Sequence, residues 1–462
     1  MVFVWFLDTC REGVFVLAER IMEVQRQIKR PGELLRELAY WSKDRVTGSR
    51  VRRYLDELDQ YDGPEFTGSV EVLPQLSGIL DHAMATVPFY RGNRHAGFRD
   101  WPVIKKETLK NNYDLFLSGS YTSQKTVPKS TSGSYGMPLV HPLDLEKVAR
   151  REAEVLYFMR WAGYAPGTRM LYVNGTHRPK SNFELWRHNQ IMAKPQTLDD
   201  EWVHRYIRLG LLKDVRVIVG CPPTIEAMAE QLSKADYRFP NLRGAVVTSS
   251  PLYSSVKEMV EKVLGVPVLG RYACTEMGIL AHQCPEGGLY HINVAHYAVE
   301  VLALDRDDPV DIGETGRVIV TDLHSRAMPL IRYDTGDLAT LAGPCRCGRP
   351  GLTISAIDGR MMETIFDTSG RRVVPQRLLV AIPGGNAVFR HQLVQLGEGE
   401  YTVNLMLDKE DQFDETAARH KLGLILGADA RIDFRRVNDI PRLPSGKRPV
   451  MMNVSLQKRP GV

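Results

Sequence analysis

Between residues 170 and 269, short apolar runs alternate with helix-like stretches, and this alternation constrains the fold more than any other feature. The runs are Met170-Leu-Tyr-Val173, Val215-Arg-Val-Ile-Val219, Ala245-Val-Val247 and Val266-Pro-Val-Leu269. Strand–helix alternation of this kind predicts a doubly wound α/β body. From 297 to 340 the helical texture thins, and Tyr297 to Leu304 and Arg317 to Thr321 read as consecutive strands joined by Gly313-Glu-Thr-Gly316. A break follows Ile357-Asp-Gly-Arg360. Beyond it Phe389–Gln395, Tyr401–Leu407 and Ala430–Arg435 read as strands around a helix over 414–425, a compact α+β unit. On the amino side Val14, Leu17, Ala18, Ile21, Val24 and Ile28 recur at helical spacing until Pro31-Gly32, and 33–60 and 70–87 are helical in pattern. A chain of 462 residues exceeds one comfortable core. The expected organisation is a mostly helical part over 1–105, an α/β and β body over 106–358, and a small α+β lid over 359–462.

Charge and apolar content exclude several function classes. Sixty basic against 55 acidic residues leave +5 over the whole length, too little to imply nucleic acid. The basic stretch Arg45–Arg53 is expected to be a solvated helix face. Met1-Val-Phe-Val-Trp-Phe-Leu7 is too short to span a bilayer and has no basic region before it, so the expected location is the cytoplasm, with no membrane span. Six cysteines in this length do not suggest a disulfide scaffold, and Cys10 and Cys221 read as small core residues.

Five short motifs carry chemistry. Ser130-Thr-Ser-Gly-Ser-Tyr-Gly-Met-Pro138 concentrates hydroxyls and glycines, which lets backbone N–H groups converge on an anion. It lacks the Gly-Lys-Ser/Thr ending of a Walker loop. Tyr272-Ala-Cys-Thr-Glu-Met-Gly278 follows a strand, where open α/β sheets bind ligands, and Thr275 and Glu276 offer a hydroxyl and a carboxylate for phosphate and Mg²⁺. In Arg332-Tyr-Asp-Thr-Gly-Asp337 an aspartate after a Thr-Gly turn suits both hydroxyls of a ribose. Asp358-Gly-Arg360 and Pro441-Arg-Leu-Pro-Ser-Gly-Lys447 open and nearly close the last unit, the second presenting a lysine on a Gly-containing loop. Each motif taken singly also reads as a turn or a solvated surface.

In this order and spacing the five resemble the adenylate-forming superfamily of acyl-CoA synthetases, peptide-synthetase adenylation domains and luciferases. The resemblance narrows to the branch of phenylacetate–CoA ligase, coenzyme F390 synthetase and CapK. It is carried by HAMATVPFYR (82–91), Ser249-Ser-Pro-Leu252, Gly313 to Asp337 and Pro344-Cys-Arg-Cys-Gly-Arg349. It implies ATP-dependent activation of a small carboxylic acid as acyl-AMP. By the resemblance Thr131, Ser132, Gly133, Ser134 and Gly136 hold the ATP phosphates. Ser249, Ser250, Pro251, Tyr272 and Ala273 flank the adenine. Thr275 and Glu276 serve phosphate and Mg²⁺, Asp337 the ribose, Arg360 the nucleotide, and Lys447 bridges acyl carboxylate and α-phosphate. Glu276, Arg360 and Lys447 are the implied catalytic set, and Glu363 the implied hinge. The acyl acceptor is CoA first, then a carrier-protein phosphopantetheine, then an amine or hydroxyl of a biosynthetic intermediate. A retired, non-catalytic scaffold is disfavoured because Glu276, Asp337, Arg360 and Lys447 are all chemically competent. Tyr135, Met137, Cys274 and Glu363 depart from the usual residues without removing a charge that adenylation needs.

Cys284 and His291 are separated by six residues, and Cys345-Arg-Cys347 follows some fifty residues later. Three sulfurs and an imidazole suit a closed structural Zn²⁺ site, with His282 as the rival imidazole. The resemblance strengthens this reading, since some proteins of the branch carry zinc at matching positions. The acid pocket is expected near Arg187-His188-Asn189 and the strand ends around 220 and 247, and the branch implies an aromatic acid. Nothing in the sequence speaks to whether the chain forms a homo-oligomer.

Overall fold

The computed structural model describes residues 30–61, 74–92, 97–121, 126–130, 139–173, 181–193, 200–235, 237–360, 364–371, 373, 378, 381–382, 388–407, 413–440 and 449–455. The helix expected over 14–28 lies outside them. In chain order come helices α1 (Pro31–Val46), α2 (Arg50–Gln60), α3 (Pro74–Thr86) and α4 (Lys106–Asn111), then the hairpin β1 (Thr126–Ser130) and β2 (Val140–Asp144) and helix α5 (Leu145–Arg160). The α/β body follows as β3 (Met170–Val173), α6 (Asn182–Arg187), β4 (Gln190–Ala193), α7 (Asp200–Leu212), β5 (Val217–Gly220), α8 (Pro222–Ala235), β6 (Gly244–Val247), α9 (Ser254–Leu264) and β7 (Val268–Cys274). Next are β8 (Gly278–Gln283), β9 (Tyr290–Ile292), β10 (Tyr297–Leu302), β11 (Thr315–Asp322), β12 (Tyr333–Ala342) and β13 (Thr353–Arg360). The last elements are β14 (Val388–Gly397), β15 (Glu400–Leu407), α10 (Glu415–Leu426), β16 (Arg431–Arg436) and β17 (Met451–Asn453).

The described residues of Met1–Gly63, Ala149–Ala273 and Ala281–Gly288 form one compact unit, and those of Pro64–Val148, Cys274–Leu280 and Leu289–Val462 another. In the first, β4, β3, β5, β6 and β7 lie side by side, all parallel. One face packs on α7, α8 and α9 through Leu171, Ile218, Val247, Ile225, Met228 and Val260, all buried. The fold class is thus the α/β body with an α+β C-terminal part that the sequence predicts. The segment 33–60, helical in pattern, is two helices, divided where Gly48 and Ser49 take positive φ of 95° and 54°. The Asp44 carboxylate then accepts the Val51 and Arg52 N–H groups at 3.0 Å each, filling donors that a new helix start leaves open. Arg52 lays its guanidinium 4.1 Å from the Trp41 ring centroid while its residue stays exposed, in keeping with a solvated basic face.

In the second unit β10–β11–β12–β13–β9 form antiparallel pairs, and β16–β15–β14–β17 make a separate sheet with α10 against its own core of Leu393, Tyr401, Val403, Leu422 and Leu426. A fully buried lysine organises the start of this unit. Asp144 caps α5 by accepting the Lys147 N–H at 2.8 Å, and its other oxygen takes the Arg326 N–H at 3.0 Å. The Lys147 ammonium bonds Asp322 Oδ1 and Tyr297 Oη at 3.0 Å each. Asp322 also accepts the N–H groups of His324 and Ser325. Both charges are sealed from water, so each depends on the other. Lys147→Met is expected to cost about 3–5 kcal/mol in chemical denaturation, and Lys147→Met with Asp322→Asn to recover more than half of it. Equal losses in single and double variants would show that the unpaired carboxylate is not the cause.

Candidate active site

Arg332 holds the Arg332–Asp337 motif in place. Its φ is +48°, a left-handed conformation uncommon outside glycine. The guanidinium donates to the Trp101 and Arg99 carbonyls at 2.7 and 2.6 Å and forks onto both Glu300 oxygens at 3.0 and 3.1 Å. Its N–H reaches Thr321 Oγ1 at 2.8 Å. Downstream, Arg317 grips Asp334 at 3.0 Å, Gly336 turns at φ +74° with its N–H on Asp334 Oδ1, and the Asp337 N–H donates to Thr335 Oγ1. Asp337 is half-buried, and its Cα is paired in register with that of Arg360 across β12 and β13. The two residues singled out for ribose and nucleotide are therefore cross-strand neighbours.

Tyr333, set by the same anchor, donates its hydroxyl to Glu276 Oε1 at 3.2 Å, and the Lys106 ammonium reaches that oxygen at 3.1 Å. Glu276 is 5% exposed, so its charge has to be met by protein groups. Burial pushes its carboxyl up, but Lys106, a backbone N–H and His141 outweigh that and hold it below the usual carboxylate range. Burial and the adjacent carboxylate in turn push the Tyr333 phenol well above its ordinary value, so it stays a donor. The result is an ionised oxygen ligand in the turn after β7. Lys106 has no signal in the sequence. It opens α4, and its partner lies far along the chain.

In the first unit Ser249, Ser250 and Pro251 follow β6, while Tyr272 and Ala273 lie at the end of β7. The strands pair in parallel with Val247 opposite Gly270, so these residues gather at adjoining carboxyl edges. Tyr272 is buried, Ala273 and both serines are exposed, and Ser249 adopts φ +78°. Arg187 and His188 bond each other at 2.8 Å, and Asn189 holds the Gly167 carbonyl at 2.7 Å and Arg169 Nε at 3.0 Å. These contacts make that corner a fixed wall. Thr131, Ser132, Gly133, Ser134 and Gly136 lie outside the described residues, between paired strand ends Ser130 and Val140. Glu363, Lys447 and the Arg360 side chain also lie outside them.

The thiols and imidazole expected to bind zinc are brought together. Ligand atoms of Cys284, His291, Cys345 and Cys347 all lie within 4.8 Å of one another. Cys347 Sγ is 3.3 Å from His291 Nε2, near the roughly 3.5 Å that neighbouring donors keep on tetrahedral zinc. The Gly287 N–H points at Cys284 Sγ at 3.4 Å. The donor set fits the metal, which would act there as a cross-link. His282 is excluded from this role. It is fully buried, its Nδ1 is on the Gln283 carbonyl at 3.1 Å, and its ring stacks on Phe158.

Comparison with known proteins accords with this geometry. No established family profile matches the chain. The phenylacetate–coenzyme A ligase of Thermus thermophilus is 27% identical over 351 residues, covering 70% of this chain and 77% of that protein. Protein CapK of Staphylococcus aureus is 24% identical over 373 residues, covering 78% and 80%. The crystal structure of 2-hydroxyisobutyryl-CoA ligase in its postadenylation state superposes with a TM-score of 0.65 at 17% identity, covering 83% of this chain and 89% of that one. The chain has the fold of the adenylate-forming ligases. Its sequence likeness runs to the phenylacetate–CoA ligase and CapK branch. Among the described residues no helix is long and apolar enough to cross a membrane.

A closed four-ligand site has no open position for chemistry, so its loss acts through stability. Protein purified without chelators is expected to carry about one zinc per chain by elemental analysis. Cys345→Ser is expected to lose the metal and melt at lower temperature, while the fraction that stays folded keeps near-parental kinetics. Metal-free wild type, or zinc whose removal leaves melting unchanged, would refute the structural role.

Proposed function

We propose that this chain is an ATP-dependent, AMP-forming carboxylic acid ligase that passes its acyl group to CoA. The observation that carries the reading is the ionised Glu276, held by Tyr333 and Lys106 in the turn directly after Tyr272 and Ala273. An ionised oxygen ligand in the turn beyond a strand end suits a metal–nucleotide. The similar proteins named above, phenylacetate–coenzyme A ligase and 2-hydroxyisobutyryl-CoA ligase, support it.

In this reading a carboxylate oxygen of the acid attacks the α-phosphorus of ATP and pyrophosphate leaves. The acceptor thiolate then attacks the acyl carbonyl and AMP leaves. Thr131–Gly136 cradle the phosphates, Ser249–Pro251 and Tyr272–Ala273 flank adenine, and Thr275 contacts phosphate. Asp337 takes the ribose, and its cross-strand partner Arg360 meets the nucleotide. Glu276 would hold Mg²⁺, which would supply positive charge to the phosphates. Joining two anions needs such charge, and Lys447 delivers more of it at the reacting oxygens. Residues 359–462 act as the lid that carries Lys447, with Glu363 as the hinge, and the enzyme works in the cytoplasm. In a second reading the acyl group goes to an amine, a hydroxyl or a carrier protein, and the fold likeness to the amide bond synthetase McbA of Marinactinospora thermotolerans, with a TM-score of 0.51 at 17% identity, suits the amine.

ATP–pyrophosphate exchange across a panel of acids tests the first step, and repeating it with CoA tests the second. Exchange with at least one acid, followed by thioester formation, is expected, whereas silence across a broad panel would sink the ligase reading. Lys447→Ala is expected to fold normally and lose adenylation by roughly 10²–10³, yet still transfer pre-formed acyl-AMP. Glu276→Gln is expected to blunt the Mg²⁺ dependence and lower turnover more than it raises the KM for the acid. An effect confined to acid affinity would contradict its assignment to the metal–phosphate unit.

A further inference from the structure

Among the described residues, half-buried Arg271 is the arginine that keeps two guanidinium nitrogens enclosed without a partner. It sits in the middle of β7, just past the last residue paired with β6 and one residue before Tyr272, and strand alternation turns the two side chains to opposite faces. Its Nε and Nη2 are sealed from solvent and have no hydrogen-bond partner among the described residues. Arg317 and Arg332, more deeply buried, spread the same atoms over carboxylates and carbonyls. Burial lowers the Arg271 guanidinium to about 10, with the phenol of Tyr172 on β3 the main electrostatic influence opposing that. The group still carries its charge at neutral pH. A buried charge without a partner is costly, and proteins keep such groups where a ligand completes them.

The geometry of the missing partner can be read from the atoms involved. Nε–H and Nη2–H lie on one edge of the planar guanidinium and point the same way. That edge accepts the two oxygens of a carboxylate side-on, in the bidentate form that makes arginine the usual carboxylate reader. Close by, in the same compact unit, His282 Nε2 is likewise buried without a partner, and Nδ1 donates to the Gln283 carbonyl, so Nε2 is an acceptor. Phe158 stacks flat on this imidazole at 5.3 Å and Trp161 meets it edge-on at 5.6 Å, so its surroundings are aromatic and apolar. In open α/β sheets the carboxyl edge of the strands is where ligands bind.

We infer that Arg271 reads a second carboxylate on the substrate, so that the acid this enzyme activates is a dicarboxylic acid. The inference rests on the ligase reading above and names its substrate class. One carboxylate is adenylated, and the other, which takes no part in bond making, is held side-on by Arg271 Nε and Nη2. A monocarboxylic acid of the same size leaves the guanidinium orphaned in the complex, and such a site rejects the ligand that lacks the matching group.

The test compares matched pairs, terephthalate against benzoate and adipate against hexanoate, in ATP–pyrophosphate exchange. Wild type is expected to favour the dicarboxylate of at least one pair by roughly 10² or more in kcat/KM. In Arg271→Met that ratio is expected to fall by a similar factor, with Arg271→Lys in between because it keeps charge and loses the fork. Two readouts are independent of turnover. Unliganded Arg271→Met is expected to melt above wild type, since an unpaired buried charge has been removed, and the favoured dicarboxylate is expected to raise the melting temperature of wild type only. A monocarboxylate preference that survives in both proteins, or a variant that melts lower without ligand, would overturn the proposal. If no acid supports exchange, the ligase reading fails, and the unliganded melting comparison together with the shifts given by terephthalate and adipate still decides whether Arg271 holds a dicarboxylate.

Discussion

The second unit depends on one arginine more than on any other side chain. Arg332 accepts a backbone conformation that few side chains adopt, and the cost is offset by four charged or carbonyl acceptors arrayed around its guanidinium. Trp101 and Arg99 belong to the segment before α4, and Glu300 belongs to β10, so this single fork ties three stretches far apart in sequence. Ile104 adds to the tie, donating to the Arg332 carbonyl and accepting from Asp334, each at 2.9 Å. With these fixed, Lys106 and Tyr333 have no choice but to meet at Glu276. Burial raises that carboxyl, and Lys106, a backbone N–H and His141 outweigh it.

The sequence made the outline of the fold legible wherever local pattern and tertiary environment agree. The apolar runs near 170, 217, 245 and 268 are strands because they are buried on both faces, and no other local choice suits them. Boundaries were harder. Val215 precedes its strand, which starts at Val217, and β7 runs past Leu269 to Cys274. The interruption at Gly48-Ser49 escaped a reading based on apolar spacing, since Val51, Tyr54, Leu55 and Leu58 keep the helical period on its far side. The Glu276 and Asp337 motifs were readable because each packs its chemistry into one short stretch. Lys106 and Arg271 were not. Their significance lies in which groups are or are not opposite them, and a linear string of residues does not record that.

The contrast between Glu276 and Arg271 shows how one fold handles buried charge in two ways. Glu276 is surrounded by donors, and its ionised form is favoured despite burial. Arg271 is left with one edge of donors unanswered, a strain that ordinary selection for stability would remove. The first arrangement keeps a group ready at fixed charge. The second keeps a preference in reserve, expressed only when a complementary group arrives.

The threading of the chain has a further consequence, for synthesis on the ribosome. The first unit takes its residues from three separate stretches, up to Gly63, from Ala149 to Ala273, and from Ala281 to Gly288, with pieces of the second unit between them. Translation at about 5–20 residues per second means roughly ten to forty-five seconds between Gly63 and Gly288. During that interval α1 and α2 have emerged without the sheet they belong with, and the β3–β7 strands appear one by one with both faces bare. Neither unit can close before the chain has passed Gly288. Completion of the first unit therefore waits on residues made late in its synthesis.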